Sequence, residues 1–234
     1  MHDKPSSDRA SIRRKVVAVC RRLARHYGPV EPPPEEPVLD ELIATILSQN
    51  TSDTNSSAAF DELRRRFPDW NAVRTAPVGR IARAIRRAGL SNVKAPRIRA
   101  VLRRIHQERG ELSLDFLRSW SAPEALAYLR EFDGVGPKTA ACVLLFACRM
   151  PVLPVDTHVH RVSRRLGLIG PGTNAEKAHD DLAARVPADR VLEFHLQLIR
   201  LGRTLCTARR PKCEMCPLWD LCPEGLHRLR AEAG

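Results

Sequence analysis

Four cysteines near the end of the chain, Cys206, Cys213, Cys216 and Cys222, stand in the pattern C-x6-C-x2-C-x5-C. The segment that carries them is basic and has few apolar residues, so burial alone cannot order it. Thiolates this closely spaced read as ligands that supply the missing order, with zinc and an iron–sulfur cluster as the two candidates. Zinc ribbons usually pair one C-x2-C with another. Only Cys213 and Cys216 make such a pair here, so the spacing leans toward iron and sulfur. Cys20, Cys142 and Cys148 sit singly within helical patterns and read as core thiols. An odd number of cysteines with one tight cluster fits a reducing compartment better than a disulfide framework.

Outside that segment nearly every patterned stretch has helical period. Ile12, Val16, Val19, Cys20 and Leu23 fall on one face of a helix. A proline-rich stretch from Pro29 to Pro37 follows and reads as a rigid linker. Leu39, Leu42, Ile43, Ile46 and Leu47 resume the apolar stripe, and Phe60 and Leu63 carry it on. Ile81 and Ile85 predict a short helix that stops at Gly89, Ala95 to Ile105 another, and Pro123 to Phe132 a third with Ser121 as its N-cap. Val152-Leu153-Pro154-Val155 is rich in β-formers, but its proline demotes it to an extended connection. The expectation is a compact all-α protein.

The formal net charge is +12, with 39 lysines and arginines spread along the 234 residues. A distributed basic excess on a folded chain suits a polyanionic partner, most often nucleic acid, and equally a basic protein from an arginine-rich proteome. No stretch approaches the roughly 18 apolar residues of a membrane helix, and the first residues lack the apolar core of a signal peptide. Arg64-Arg65-Arg66 and Arg86-Arg87 read as solvated faces.

Two short motifs carry chemistry. In Asp133-Gly134-Val135-Gly136-Pro137-Lys138 the glycines permit positive φ and close approach of another backbone, and Pro137 opens the next helix where its missing N–H costs nothing. Backbone N–H groups at such a turn can hold a phosphate oxygen, although G-x-G alone equally fits an ordinary helix–helix turn. Lys138 falls in the first turn, where the positive helix end disfavours an ammonium; an amine kept neutral there can attack carbon and form a Schiff base. A lysine that only touches phosphate is the simpler reading of that residue by itself. Asp156, in Val155-Asp156-Thr157-His158, reads as an N-cap, and its carboxylate could also stabilise positive charge developing on a sugar. His158 and His160, at i and i+2, point to different faces and make a poor metal pair.

Taken together, these motifs resemble the endonuclease III branch of the helix-hairpin-helix DNA glycosylases. The matching stretches are Gly134 to Ala140, Val155 to His158, the four cysteines, Leu39 to Thr51, and Ala88 to Ala95. The resemblance implies two helical domains flanking a DNA-binding groove: a six-helix barrel with the helix-hairpin-helix over 31–150, and an iron–sulfur domain from 1–30 and 151–234. It implies a [4Fe-4S] cluster on Cys206, Cys213, Cys216 and Cys222. Lys138 becomes the nucleophile and Asp156 its catalytic partner. Leu90 becomes an apolar wedge, Gln49 or Asn50 the residue that fills the space left by a flipped base, and Gly134 and Gly136 a phosphate anchor. Arg209, Arg210 and Lys212, on the loop between two ligands, would face phosphates. The implied activity is that of a bifunctional DNA glycosylase and AP lyase on double-stranded DNA with oxidised pyrimidines or abasic sites. The implied setting is a monomer in the bacterial cytoplasm, at the nucleoid and away from membranes.

The chain departs from the family pattern at two points. Ser48-Gln49-Asn50-Thr51 stands where a single glutamine follows Ser-Ala, and Asp133 replaces a proline. Two alternatives are a monofunctional adenine glycosylase and a non-enzymatic DNA-binding protein. The first would lack the hairpin lysine and carry an acid in the run Ile43 to Asn50, which has none. The second would need neither Lys138 nor Asp156.

Overall fold

The computed structural model describes residues 5–232, which form helices and turns with no strand among them. The chain divides into two compact units, Met1–Pro33 with Pro151–Gly234, and Pro34–Met150. The first boundary falls inside the proline run.

The Pro34–Met150 unit is built around α2 (Val38–Ser48), which packs against α3 (Asp53–Arg66) and α8 (Pro137–Phe146). Val38, Leu39, Leu42, Ile43, Ile46 and Leu47 are all buried, so one broad face of α2 is core. Removing one such side chain, as in Leu42→Ala, costs about 2–5 kcal/mol. Local signals set the other boundaries. Ser52 accepts from Asn55 N at 3.3 Å to open α3, and Asp69 accepts from Ala72 N at 2.7 Å to open α4 (Trp70–Thr75). Helix α5 (Val78–Ala84) ends before Ile85 and tightens into a 3₁₀ turn at Arg86–Ala88, so the predicted stop at Gly89 comes after a change of helix type. Helix α6 (Ser91–Arg109) is longer than the apolar stripe suggests, and Gly110 ends it in the left-handed region. Helix α7 (Ala122–Arg130) begins at Ser121, whose N–H donates to Glu124 at 3.1 Å.

In the other unit, α1 (Pro5–Tyr27) buries Val16, Val19, Cys20 and Leu23 and packs on α11 (Val191–Thr204). Burial pushes the Cys20 thiol up to about 12, as expected of a core thiol. Cys142 is buried too, whereas Cys148 is half-buried. Helix α11 also lies against α9 (Thr157–Arg165). Gly202 permits that approach, because a Cβ there would lie 2.8 Å from His158 Nδ1. Helices α10 (Ala175–Ala183) and α12 (Pro223–Glu232) complete the unit. Among the described residues no helix is long and apolar enough to cross a membrane.

Candidate functional site

The hairpin joins α7 to α8. Val135 N–H returns to Phe132 O at 3.0 Å, and Gly134 takes φ +79°. A Cβ on Gly134 would also sit 2.8 Å from Arg97 Cδ, and Arg97 in turn pairs with Asp133 at 3.4 Å. Gly136 behaves differently from the sequence expectation. It is extended, at φ −84° and ψ 179°, so it needs no positive φ. It is exposed, and a Cβ there would meet nothing within 4 Å. Lys138 follows Pro137 in the first turn of α8 and is half-buried.

Gln49 and Asn50 play different parts. Gln49 Nε2 donates to Gly134 O at 2.9 Å and to Thr139 Oγ1 at 3.1 Å, so it ties the end of α2 to the hairpin. Asn50 is exposed and holds φ +55°, a left-handed conformation that asparagine tolerates better than most residues.

Two residues in this unit escape a motif search. Glu41 is half-buried on α2 and accepts from Thr45 Oγ1 at 2.9 Å. Burial raises its carboxyl above the ordinary glutamate range, while the Thr45 hydrogen bond and the charge of Lys138 pull the other way. Lys94 is 2% exposed, and its Nζ donates to Leu47 O at 2.7 Å and Ala88 O at 2.8 Å. Burial lowers its pKa. The signal for it is its place at the head of the apolar stripe Ile98, Val101, Leu102 and Ile105 on α6, where a hydrophobe belongs. Leu90, four residues earlier, is 56% exposed at φ +48°, with Val93 exposed beside it.

Asp156 caps α9, accepting from Val159 N at 2.7 Å, and is half-buried. Such a cap is worth about 1 kcal/mol. Further along α9, Arg161 donates to Gly202 O and Cys206 O, and Arg165 to Thr207 O, Ala208 O and Cys206 Sγ. The helix that Asp156 opens therefore holds the start of the cysteine segment. His158 Nδ1 contacts Arg161 at 3.2 Å and His160 Nε2 pairs with Thr173 O, so both histidines have local partners.

Cys206, Cys213, Cys216 and Cys222 line one pocket together with Arg165, Leu205 and Trp219. Among the described residues no three His, Cys, Asp or Glu side chains converge closely enough for a single metal ion. Four cysteines facing one pocket, with a single C-x2-C pair among them, are a donor set that fits an iron–sulfur cluster. Burial, reinforced by the neighbouring cysteines, pushes Cys216 up to about 11 and raises Cys213 and Cys222. A cationic core bound among them would favour the thiolate form of these three. Between Cys206 and Cys213 the loop is closed by Thr207 Oγ1 donating to Arg210 O at 2.6 Å. Arg209, Arg210 and Lys212 are exposed on it.

The "HhH-GPD superfamily base excision DNA repair protein" family model matches residues 43–188, more than half of the chain. This chain belongs to that superfamily. A second family model, "Iron-sulfur binding domain of endonuclease III", matches residues 206–222. An "Endonuclease III" of Sulfolobus acidocaldarius is 32% identical over 82% of this chain and 85% of its own length. A "Putative DNA glycosylase" of Arabidopsis thaliana is 37% identical over 79% of this chain and 66% of its own length. A solved structure of a trapped endonuclease III–DNA covalent intermediate superposes with a TM-score of 0.78 at 26% identity, covering 93% of this chain and 99% of that one. The protein is a base excision repair DNA glycosylase of the endonuclease III type, and its cofactor is a [4Fe-4S] cluster. When bound, the cluster supplies the cross-link that the cysteine segment cannot make from its own apolar residues.

Proposed function

We propose that the protein is a bifunctional glycosylase and AP lyase acting on oxidised pyrimidines and abasic sites in double-stranded DNA. A base inside a duplex shields its sugar carbon, so the nucleotide must leave the stack. Leu90 enters as the wedge and Asn50 fills the gap. Asn50 is preferred over Gln49 because the Gln49 amide is already engaged by the hairpin. Once deprotonated, the Lys138 amine attacks C1′ and the base departs with the bonding electrons and is protonated. The nitrogen then loses a proton, its lone pair expels O4′, and O4′ is protonated as the sugar ring opens to leave a protonated Schiff base. Removal of a C2′ proton then expels the 3′ phosphate by β-elimination, nicking the strand. Asp156 stabilises the positive charge that develops on the sugar, using a carboxylate that its cap bond to Val159 already orients. The exposed Gly136 turn anchors one phosphate stretch, and Gly134 shapes that turn. Arg209, Arg210 and Lys212 contact another.

The observation that carries this reading is a half-buried lysine in the first turn of α8, directly after a glycine turn with open space at Gly136. Simple phosphate anchoring needs no lysine placed there. Borohydride trapping tests it, on a duplex containing thymine glycol and on a matched abasic duplex. Both should give a covalent adduct with the wild type and none with Lys138→Gln, while duplex binding by that variant is largely kept. An adduct of normal yield from Lys138→Gln would remove Lys138 from the chemistry. Adduct on the abasic duplex alone would keep the lyase and discard thymine glycol as the base.

A further inference from the structure

Lys94 is a residue that the chemistry above does not use, yet it is the largest fully buried side chain among the described residues. A methionine would fill the same space without the cost of burying a charge. Its partners explain the lysine. Leu47 O lies in the last turn of α2 and Ala88 O ends the 3₁₀ turn Arg86–Ala88, so each carbonyl belongs to a helix end that lacks an intrahelical donor. Two negative helix ends meet at one ammonium.

What leaves those two ends is equally specific. After Leu47 the chain reaches Asn50 at φ +55°, and after Ala88 it reaches Leu90 at φ +48°. Among the described residues these are two of the three non-glycine positions with positive φ. Strained backbone of this kind persists only where its surroundings fix it, and it concentrates at working loops. The Lys94 backbone N–H adds a bond to Leu90 O at 2.9 Å. One residue therefore grips the root of both loops.

We propose that Lys94 is a positioning residue that holds the wedge loop at Leu90 and the gap-filling loop at Asn50 in one register, so that both side chains enter the duplex together. This rests on the reading of Leu90 and Asn50 given above, and the test separates the two ideas. The full-length, cluster-loaded protein is mixed with a duplex carrying a non-reactive abasic analogue opposite 2-aminopurine, whose fluorescence rises when side chains displace the stack. Leu90→Ala and Asn50→Ala should each reduce the rise. Lys94→Met should slow it by about 10- to 100-fold, the scale of a misplaced group acting at a distance. Affinity for undamaged duplex and the visible absorbance of the cluster should stay at wild-type levels. Lys94→Met/Leu90→Ala should be no slower than the slower single variant, a non-additivity that a merely structural lysine would not produce. If Lys94→Met does not fold, Lys94→Gln, whose amide nitrogen lies one bond short of the Nζ that joins the two carbonyls, carries the same measurement. A Lys94 variant with a wild-type rise, or with a deficit that adds fully to that of Leu90→Ala, overturns the proposal while leaving the wedge reading standing. If Leu90→Ala and Asn50→Ala themselves change nothing, the wedge reading fails and the proposal with it.

Discussion

The hairpin at 133–138 and the loop at 206–213 both present an exposed turn to solvent, but they are ordered by opposite means. The hairpin is held by ordinary folding forces: two helices with buried faces, one left-handed glycine, and the Gln49 amide on Gly134 O. The cysteine loop lies beside a pocket lined by four sulfurs, two of them its own, and has three exposed cations and Arg161 and Arg165 gripping its carbonyls. A chain can thus hold an exposed turn by packing where its core is thick, and needs a cross-link where it is thin.

The sharpest way to break that contrast is to remove a ligand. Cys216→Ser should abolish cluster absorbance and strip hydrogen-exchange protection from 206–222, while amides of α2 and α8 keep theirs. Retained protection in 206–222 would mean that the loop orders itself. Next in size, the two hairpin glycines should respond differently. Gly134→Ala places a Cβ at φ +79° and should destabilise the protein by about 1–2 kcal/mol. Gly136→Ala should change stability by less than about 0.5 kcal/mol yet weaken duplex binding, because the added methyl would occupy the open space through which a phosphate reaches the turn. Equal losses of melting temperature would erase the distinction between a folding glycine and a contact glycine. On the cluster side, replacing Arg209, Arg210 and Lys212 by alanine should flatten the dependence of log K on log salt by about 0.9 for each phosphate that is no longer neutralised. An unchanged slope would take the loop off the DNA.

The smallest effect concerns Glu41. Burial raises its folded pKa above the ordinary 4.5, so the folded state holds its proton more tightly than the unfolded chain does. Its contribution is present at low pH and is lost as pH rises from that ordinary value through the raised folded value. Glu41→Gln should therefore be more stable than the wild type at neutral pH, with the advantage shrinking in acid below that range. Denaturant melts at two pH values read this directly, and a constant difference between them would contradict it.

Much of the site is legible in the residues themselves. Ser121, Asp156 and Pro137 mark helix starts through their own side-chain chemistry, and the cysteine spacing announces a cross-link. These signals act over a few residues, so the sequence carries them whole. Gly136 misleads because a glycine in a turn suggests a need for positive φ, whereas the fold uses that position for empty space.

By itself, then, the sequence determined the helical class, the hairpin with its lysine, the Asp156 cap and the grouping of four cysteines, because each is a short-range pattern of residue types. Only the tertiary structure decided that Gln49 turns inward to the hairpin while Asn50 stays exposed. It also set Leu90 out in a left-handed turn and buried Lys94 beneath both loops. Those outcomes depend on which helix ends meet in space, and carbonyls separated by 41 residues, from Leu47 to Ala88, share one ammonium only after the chain has folded.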